Sequence, residues 1–315
     1  MTTYLIRRVL WTVVTLFFIS LITFVLMHTV PGGPFEVRAG DRGASESFIR
    51  AAESYYGLND PIPEQFVRML GNLLQGDLGL SFSQRGQRVT DLMLDKIKPS
   101  FILGAMSFAM VVGLGVPLGI LAAVRRNTVW DYSALGLTTL LAAIPHFVLA
   151  FIMLLVFAVG LGVVDVRLGK GFGDSLASLP NGILPAVALG APSMALLSRI
   201  TRGAMVEILD QDYMRTARAK GLSSSAIYIR HGLRNAMIPV LTLLGPIFAG
   251  LITGSIIIES IFGLPGIGAA FVTSIHQRDY GMIMGTTLFY AVIIMTVNLI
   301  VDLIYPLVDP RVRVT

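Results

Sequence analysis

Six long apolar stretches divide this chain, and the polar segments between them hold most of its charged residues. Their approximate bounds are 9–30, 99–124, 132–162, 182–200, 236–259 and 281–306. A helix of about 20 apolar residues spans the hydrocarbon core of a bilayer. The pattern therefore predicts an all-α membrane protein with six transmembrane helices.

The positions of Lys and Arg predict how these helices are oriented. Arginine pairs precede the first span and follow the second, and seven basic residues lie in 199–234, whereas the short segments on the other side hold three. Because short, positively charged loops stay in the cytoplasm, we expect both termini to be cytoplasmic. The first span is longer than a signal-peptide core and no Ala-x-Ala cleavage pattern follows it, so we expect it to remain as an anchor.

The long outer segment 31–98 contains one clear helical pattern. Apolar residues recur there every three to four positions and would line one side of a short helix: Ile62, Phe66, Met69, Leu70, Leu73 and Leu74. A second short helix is expected over Val89–Ile97. These helices either cover the ends of the bundle or contact an external partner. We expect 1–98 to form an N-terminal region and 99–315 to form a five-helix core.

Several intramembrane residues indicate bent or closely packed helices. Prolines break or bend helices unless neighbours satisfy the freed backbone groups, and they occur in the predicted spans as Pro145, Pro185, Pro192, Pro239 and Pro246. Glycines four residues apart allow close helix packing and occur as Gly115/Gly119, Gly250/Gly254 and Gly281/Gly285. Glu259 and Asp302 are the acids nearest to the hydrocarbon, and such acids either have structural roles or line a pathway.

Composition agrees with a membrane location and removes most kinds of catalytic site. Of the 315 residues, 54% are hydrophobic and only 14% are charged, and the mean hydropathy is +0.75. With no cysteine and no histidines at ligand spacing, we expect no metal site. No Gly-rich Lys-Ser/Thr phosphate loop is present, so we expect no nucleotide site in this chain. The basic isoelectric point reflects topology, and we expect no binding of nucleic acid.

The inner segment 201–236 has a pattern of its own. From Arg202 an apolar stripe recurs at helical spacing through Val206, Leu209, Tyr213 and Ala217. Gly221 can end a helix in the left-handed conformation, and the serines of 223–225 can cap a second helix that begins near Ala226. The sequence thus predicts a helix, a tight glycine turn and another helix, rich in positive charge.

Two interpretations of this segment remain open. A basic inner loop can simply enforce topology and contact anionic lipid headgroups. Alternatively, the segment is a compact helical plug that fits a groove on a soluble protein and transmits motion into the adjoining spans. The plug is favoured, because an interaction with lipid requires neither a glycine turn nor a second capped helix.

The same segment resembles the coupling loop, or EAA loop, of the permease subunits of bacterial ABC importers. The resembling residues are DYMRTARAKGLSSSAIYIRHGLRNAMIPV, 212–240. Further resemblance follows along the chain in YLIRRVL (4–10), VPGGPF (30–35), YGLNDPIPEQF (56–66), GDLGLSF (76–82), TRGAMVEIL (201–209), GSIIIESIFGLPGIG (254–268), RDYGMIMG (278–285) and NLIVDLIYPLVDPRVR (298–313). Among these permeases, the chain is most similar to the B-type subunits of oligopeptide importers, in the peptide and nickel branch.

The resemblance implies the fold of a type I ABC importer permease in the bacterial inner membrane, with oligopeptides as cargo. It implies four kinds of partner: a homologous second permease, two cytosolic ATPases that bind ATP and Mg, an extracytoplasmic solute-binding protein, and membrane lipid. It assigns ATPase coupling to Arg215, Ala217, Arg218, Ala219, Lys220 and Gly221, and a gate or docking surface to Phe262, Pro265, Arg278 and Asp279. The competing class is an ion-coupled secondary transporter that uses Glu259 or Asp302.

One departure concerns the EAA motif itself. Here the aligned triplet is Arg215-Thr216-Ala217, and Pro239 follows Gly221 by 18 residues instead of 13. The longer spacing is that of the peptide branch, so it changes the branch and leaves the role of the loop unchanged.

Overall fold

The computed structural model of the chain describes residues 2–31, 33–35, 46–84, 86–163, 172–174 and 176–308. Among these residues, regular secondary structure is helical, apart from one isolated antiparallel bridge between Leu80 and Arg88. Residues 164–171 and 175 of the loop predicted between the third and fourth spans lie outside the described residues, as does the chain after 308. The predicted all-α membrane fold is confirmed.

The described part of the chain contains twelve α-helices. In chain order they are α1 (Thr2–Thr29), α2 (Glu46–Tyr56), α3 (Ile62–Leu74), α4 (Val89–Val124), α5 (Val129–Ala143), α6 (His146–Met153), α7 (Ile183–Leu209), α8 (Asp212–Ala219), α9 (Arg234–Ile252), α10 (Ile256–Ile261), α11 (Ile267–His276) and α12 (Tyr280–Val308). A π-helical segment, Leu154–Gly160, continues α6, a 3₁₀ segment, Leu176–Gly182, leads into α7, and a second π-helical segment, Ala226–Leu233, leads into α9.

The helices belong to two compact units. One consists of Met1–Lys98 and Pro265–Met295, and the other of Pro99–Leu264 and Thr296–Thr315. In the first unit, α3 packs its Phe66 and Met69 against Phe24 of α1 and Met284 of α12. The second unit contains the segment predicted to couple and most of the predicted spans.

Within the described residues, five helical stretches are long and apolar enough to cross a membrane: Ile6–Thr29 in α1, Val89–Val124 (α4), Ser178–Leu209 with α7, Ala226–Ile261 with α9 and α10, and Tyr280–Leu303 in α12. A sixth span results if α5 and α6, which are bent by 102° at a short break, are counted together. The six predicted apolar stretches correspond to these elements. No membrane-facing strand is needed to explain any of them.

The 102° bend lies at Pro145, one of the prolines predicted to break a span. Ile144, which precedes it, is extended (φ −81°, ψ 123°), because the proline ring disfavours the helical conformation in the preceding residue. Pro145 is the N-cap residue directly before α6, where its missing N–H costs no helical hydrogen bond. The third predicted span is therefore two helices at a sharp angle.

The helix expected over Val89–Ile97 does begin at Val89, but the expectation that it is short is wrong. These residues form the first turns of the single 36-residue helix α4, which continues past Pro99 and Pro117. Proline removes one backbone hydrogen bond, but inside a packed bundle this loss does not force a helix to end. Pro192 in α7 and the two prolines in α9 are accommodated in the same way.

Glycines of α4 allow α7 to approach closely, as predicted for Gly115 and Gly119. A Cβ atom added at Gly119 would lie 2.5 Å from the carbonyl oxygen of Ser198 and 2.6 Å from the Cβ of Thr201. One at Gly115 would lie 3.1 Å from the carbonyl oxygen of Met194. Small residues thus set the distance between these two helices.

The prediction for Gly250 and Gly254 is wrong as a packing motif. A Cβ at Gly250 would meet no atom within 4 Å, and Gly254 lies in a turn with φ +80°. The predicted fifth span, 236–259, lies within the apolar stretch Ala226–Ile261, but its helix is interrupted, since α9 stops at Ile252 and a new helix, α10, starts at Ile256. The left-handed conformation at Gly254 makes this break.

The amphipathic helix predicted within 31–98 is α3, and its face is partly as expected. Phe66, Met69, Leu70 and Leu73 are partly buried. The two ends of the predicted face, Ile62 and Leu74, are 55% and 90% exposed. Gln65, a polar residue that the apolar pattern does not select, is buried and donates to the carbonyl oxygens of Leu58 and Asp60.

We expect Gly119→Ala to destabilise the protein, because the added methyl group would collide with the backbone of α7. Overpacking of this kind costs about 1–3 kcal/mol. Thermal unfolding in mild detergent would show a lowered Tm. The matched control is Gly113→Ala on the same helix, where a Cβ meets nothing within 4 Å and alanine improves helix propensity. Equal Tm values for the two variants would contradict the packing argument.

Candidate functional site

The segment predicted to couple forms a short helix, α8, that follows α7 after a sharp break. Helix α7 ends at Leu209, and Gln211 is extended (φ −70°, ψ 149°) before α8 begins at Asp212. Asp212 in the first turn and Arg218 in the last turn both match the helix dipole. The predicted continuous helix from Arg202 is thus two helices.

One face of α8 is buried in an apolar cluster of the second unit. Met214 is 0% exposed and Ala217 is 7% exposed. They pack with residues from four other elements: Ala123 of α4, Met205 and Leu209 of α7, Ile227 of the π-helical segment and Ala236 of α9. We call this set of seven residues the seat of α8. It joins α8 to the helices on both sides of it and to α4.

The break before α8 also corrects the predicted apolar stripe. Leu209 and Ala217 are buried as expected, but Tyr213 is 43% exposed and Met214 takes the inner position. The helical phase restarts at Asp212, so the inner face of α8 carries Met214 and Ala217, and Tyr213 lies outside it. The Tyr213 hydroxyl accepts a hydrogen bond of 2.9 Å from the side-chain amide of Asn235.

The other face of α8 is exposed and positively charged. Arg215, Arg218, Ala219 and Lys220 all lie on this surface. Arg215 has only a long 3.5 Å contact with the exposed Asp212 carboxylate on the same helix, a pair that holds it weakly. Of the six residues assigned to coupling, Ala217 alone faces the core.

Gly221 ends α8 as predicted, with φ +75°. Its N–H donates to the carbonyl oxygen of Arg218 (3.0 Å), and the N–H of Leu222 donates to that of Ala217 (3.3 Å). These two bonds form a Schellman motif, which requires a left-handed residue at the position of Gly221. The Ser223 hydroxyl then accepts from the N–H of Ala226 (3.4 Å), so one of the predicted serines caps the following helix.

An open groove of about 620 Å³ lies at the broken helices of the second unit. Its walls are mostly apolar, and its polar side chains are His146, Ser193 and Ser255. The lining comes from the start of α6, the middle of α7, the second half of α9 and the turn before α10. The groove therefore forms where Pro145 and Gly254 interrupt the helices.

Glu259 lies in the interior of the second unit and does not line this groove. It is 0% exposed, and its carboxylate accepts a 2.7 Å hydrogen bond from the Ser100 hydroxyl of α4. A Cβ at Gly254 would collide with the same carboxylate. This position favours the structural role for Glu259. Asp302 lies on α12 and is partly exposed.

The residues assigned to a gate or docking surface differ in exposure. Phe262 is 2% exposed and belongs to an apolar core cluster of the second unit, whereas Pro265 and Arg278 are partly exposed. Arg278 adopts φ +51° at the turn between α11 and α12. The buried Phe262 and Asp279 are not part of the surface of this chain, so they can act only by supporting exposed neighbours.

Asp279 organises the turn that precedes α12 in the first unit. It is 0% exposed, and its carboxylate accepts hydrogen bonds from the Ser81 hydroxyl (2.5 Å), the N–H of Phe82 (3.1 Å) and the N–H of Ser83 (3.0 Å). It also accepts from the N–H of Met282 (3.3 Å) in the first turn of α12. One carboxylate thus fixes segment 81–83 against the start of α12.

Comparison with known families covers nearly the whole chain. Residues 115–314 match the family of the binding-protein-dependent transport system inner membrane component. Residues 1–101 match the family of the N-terminal part of the binding-protein-dependent transport system membrane component.

Similar proteins are peptide permeases by name. The dipeptide transport system permease protein of Bacillus subtilis (strain 168) is 42% identical over 99% of this chain and 98% of the relative. The oligopeptide transport system permease protein of Escherichia coli (strain K12) is 40% identical over 99% of this chain and 100% of the relative.

A solved structure shares the fold at low identity. A chain of the MetNI methionine ABC transporter, in an inward-facing conformation, aligns with a TM-score of 0.57 and 18% identity, covering 70% of this chain and 97% of that chain.

These matches decide between the two classes of transporter that the sequence leaves open, in favour of an ATP-driven importer and against an ion-coupled carrier. A permease of this class works with a partner permease, ATPases and a binding protein as its kinds of partner. The chain is accordingly a multi-pass protein of the inner membrane. It belongs to the family of inner membrane components of binding-protein-dependent transport systems, the permease subunits of ABC importers.

Proposed function

We propose that the exposed face of α8 is the handle by which cytosolic ATPases move this permease. The observation that carries the proposal is the two-sided character of α8. Arg215, Arg218, Ala219 and Lys220 are exposed, whereas Met214 on the opposite side is fully buried in the seat. A partner that grips the exposed face would therefore displace α4, α7 and α9 together with α8.

The proposed assembly follows from this handle and from the orientation predicted by Lys and Arg. Both termini and α8 face the cytoplasm, where two ATPases bind ATP and Mg and press on α8 when they close. A homologous second permease completes the pathway, and an extracytoplasmic binding protein delivers the solute. Basic residues of the inner loops also contact anionic lipid headgroups. Coupling requires that α8 bind the two states of the ATPases with different affinity, since equal affinity for both states would not shift the conformational equilibrium of the permease.

The groove at the broken helices is our candidate for this chain's half of the pathway, within the core region 99–315. Mostly apolar walls with a few polar groups suit a solute of mixed character. His146, Ser193 and Ser255 supply hydrogen-bonding groups in this lining. The region 1–98 then supplies the N-terminal transmembrane helix and an extracytoplasmic segment.

Peptides are the proposed cargo, because the similar proteins named above are dipeptide and oligopeptide permeases. The complete importer, reconstituted in vesicles with its binding protein, is expected to take up labelled short peptides only when ATP is supplied to the ATPases. Uptake of glycosides or nickel chelates without any uptake of peptides would remove this cargo and leave the importer class intact.

We expect Gly221→Pro to abolish transport while the protein remains inserted in the membrane. Proline fixes φ near −65° and has no N–H, so it can adopt neither φ +75° nor the hydrogen bond to Arg218. Gly221→Asp is expected to fail as well, because it places a negative charge among the cations of α8. Uptake by the assembled importer, with membrane content measured in parallel, gives the comparison.

The matched control is Gly221→Asn, which has nearly the shape of aspartate without its charge. Asparagine tolerates the left-handed conformation better than most residues, and a Cβ at Gly221 meets no atom within 4 Å. We expect this variant to keep most of its transport. Normal uptake by Gly221→Pro would reject the coupling role of the turn.

The turn at Arg278 is our candidate for contact with the external binding protein or for the outer gate. Asp279 holds this turn in place from the interior, and Pro265 lies at the start of the same stretch, 265–279. Phe262 supports the preceding segment through the core.

We expect Arg278→Glu to weaken transport severalfold, because reversing one charge at an interface places like charges against each other. The control is Gln277→Glu, which adds a negative charge at the adjacent exposed position and leaves Arg278 unchanged. Transport at saturating and at limiting binding protein separates docking from gating. Unchanged uptake by Arg278→Glu under both conditions would remove the residue from the site.

A further inference from the structure

An ion pair between the buried Asp131 and the partly exposed Arg202 connects α5 to the last turns of α7. Asp131, in the first turn of α5, is 1% exposed. Its two carboxylate oxygens accept hydrogen bonds of 2.7 Å each from Nε and Nη2 of Arg202. Oδ2 of Asp131 also accepts from the N–H of Asn127, at 2.9 Å. The bidentate arrangement fixes both distance and angle between the two helices.

A second ion pair lies close by in the sequence. Nη1 of Arg126 is 2.6 Å from Oδ2 of Asp210, the residue that separates α7 from α8. Both side chains are about half exposed, and such a pair contributes little by itself. Together the pairs attach the turn after α4 and the first turn of α5 to the last part of α7, directly before α8.

The seat of α8 does not include α5. Its seven residues come from α4, α7, α8, α9 and the π-helical segment, and no described residue of α5 is among them. Helix α5 packs along α7, and its buried side chains other than Asp131 are Ala134 and Thr138. Small side chains offer few ridges to prevent one helix from sliding along the other. The ion pair fixes the position of α5 along α7, which the small packed side chains do not fix.

Both partners of the pair lie on helices that lead to the groove. Helix α5 runs to the break at Pro145, directly before His146, which lines the groove. Ser193, another lining residue, is on α7 with Arg202. A fixed register between α5 and α7 therefore determines how two parts of the lining move relative to each other.

We propose that the Asp131–Arg202 pair is a positioning link that makes α5 follow α7 when α8 is displaced, so that the broken span responds to the ATPases. The link rests on the proposed coupling through α8. Net stability alone gives little reason for such a pair, since well-packed apolar residues often stabilise a buried site equally well. A requirement for register explains why a bidentate pair occupies this site.

The test uses the complete importer in vesicles and measures solute transported per ATP hydrolysed. The main variant is Asp131→Asn with Arg202→Met, which removes the pair without leaving a buried charge unpaired. We expect it to insert, to assemble with the ATPases and to hydrolyse ATP. Its transport per ATP is expected to fall about fivefold, in the range found for single links in coupled networks. Arg202→Lys alone keeps the charge and loses the bidentate geometry, and we expect it to lower transport per ATP about twofold.

The matched control is Asp60→Asn, which removes the Arg68–Asp60 pair of the first unit. That pair has a similar length, 2.6 Å, but both of its side chains are nearly half exposed. Its loss is expected to leave transport per ATP unchanged.

If the neutral double variant transports as much solute per ATP as the unmodified importer, the proposed link is wrong. The same conclusion follows if transport and ATP hydrolysis fall by the same factor, since a pair with only a structural role would lower both. If the double variant does not insert, Arg202→Lys decides, and an unchanged ratio there overturns the proposal. Cross-linking of α8 to the ATPases in the same preparations distinguishes a failure of the coupling through α8 from a failure of the Asp131–Arg202 link. A failed cross-link in the unmodified importer rejects the coupling itself, whereas an intact cross-link with an unchanged ratio rejects only the link.

Discussion

The burial of Met214 is the interaction on which the rest of this account depends. A short helix of eight residues has little stability of its own. Helix α8 stays in place because Met214 and Ala217 are packed among residues of α4, α7, α9 and the π-helical segment. A close-packed apolar contact of this kind transmits a displacement, because protein interiors are dense and deform little.

Breaks in the helices give the second unit its groove, and buried polar groups support the breaks. Pro145 bends the third span, and Gly254 ends α9. The Glu259 carboxylate lies against Gly254 and is held by Ser100. Among the described residues, no buried side-chain nitrogen or oxygen lacks a hydrogen-bond partner. Irregular backbone inside a membrane is tolerated where it is buried in protein or lines a cavity, and the turn at Gly254 lines the groove.

The sequence predicted the features that depend on local chemistry. Apolar length predicted the spans, proline predicted the bend at 145, and Gly221 predicted its own left-handed turn. Predictions from the sequence failed where contacts between distant parts of the chain determine the structure. The phase of α8 depends on the break at Gln211, so Tyr213 was placed inside and Met214 was missed. The Asp131–Arg202 pair joins residues 71 positions apart, and no periodic pattern reveals such a contact. The seven basic residues of 199–234 indicated a cation-rich site, but not which of them are exposed.

The most direct test of the central claim is a cross-link from the exposed face of α8. The chain contains no cysteine, so Ala219→Cys introduces a single thiol, and paired cysteines on the ATPases can be tested for disulfide formation in the assembled importer. The account predicts a cross-link to an ATPase whose yield changes when ATP is bound, and no such cross-link from Gly113→Cys on α4. Capture of lipid alone from Ala219→Cys, or labelling of that thiol from the external side, would contradict it.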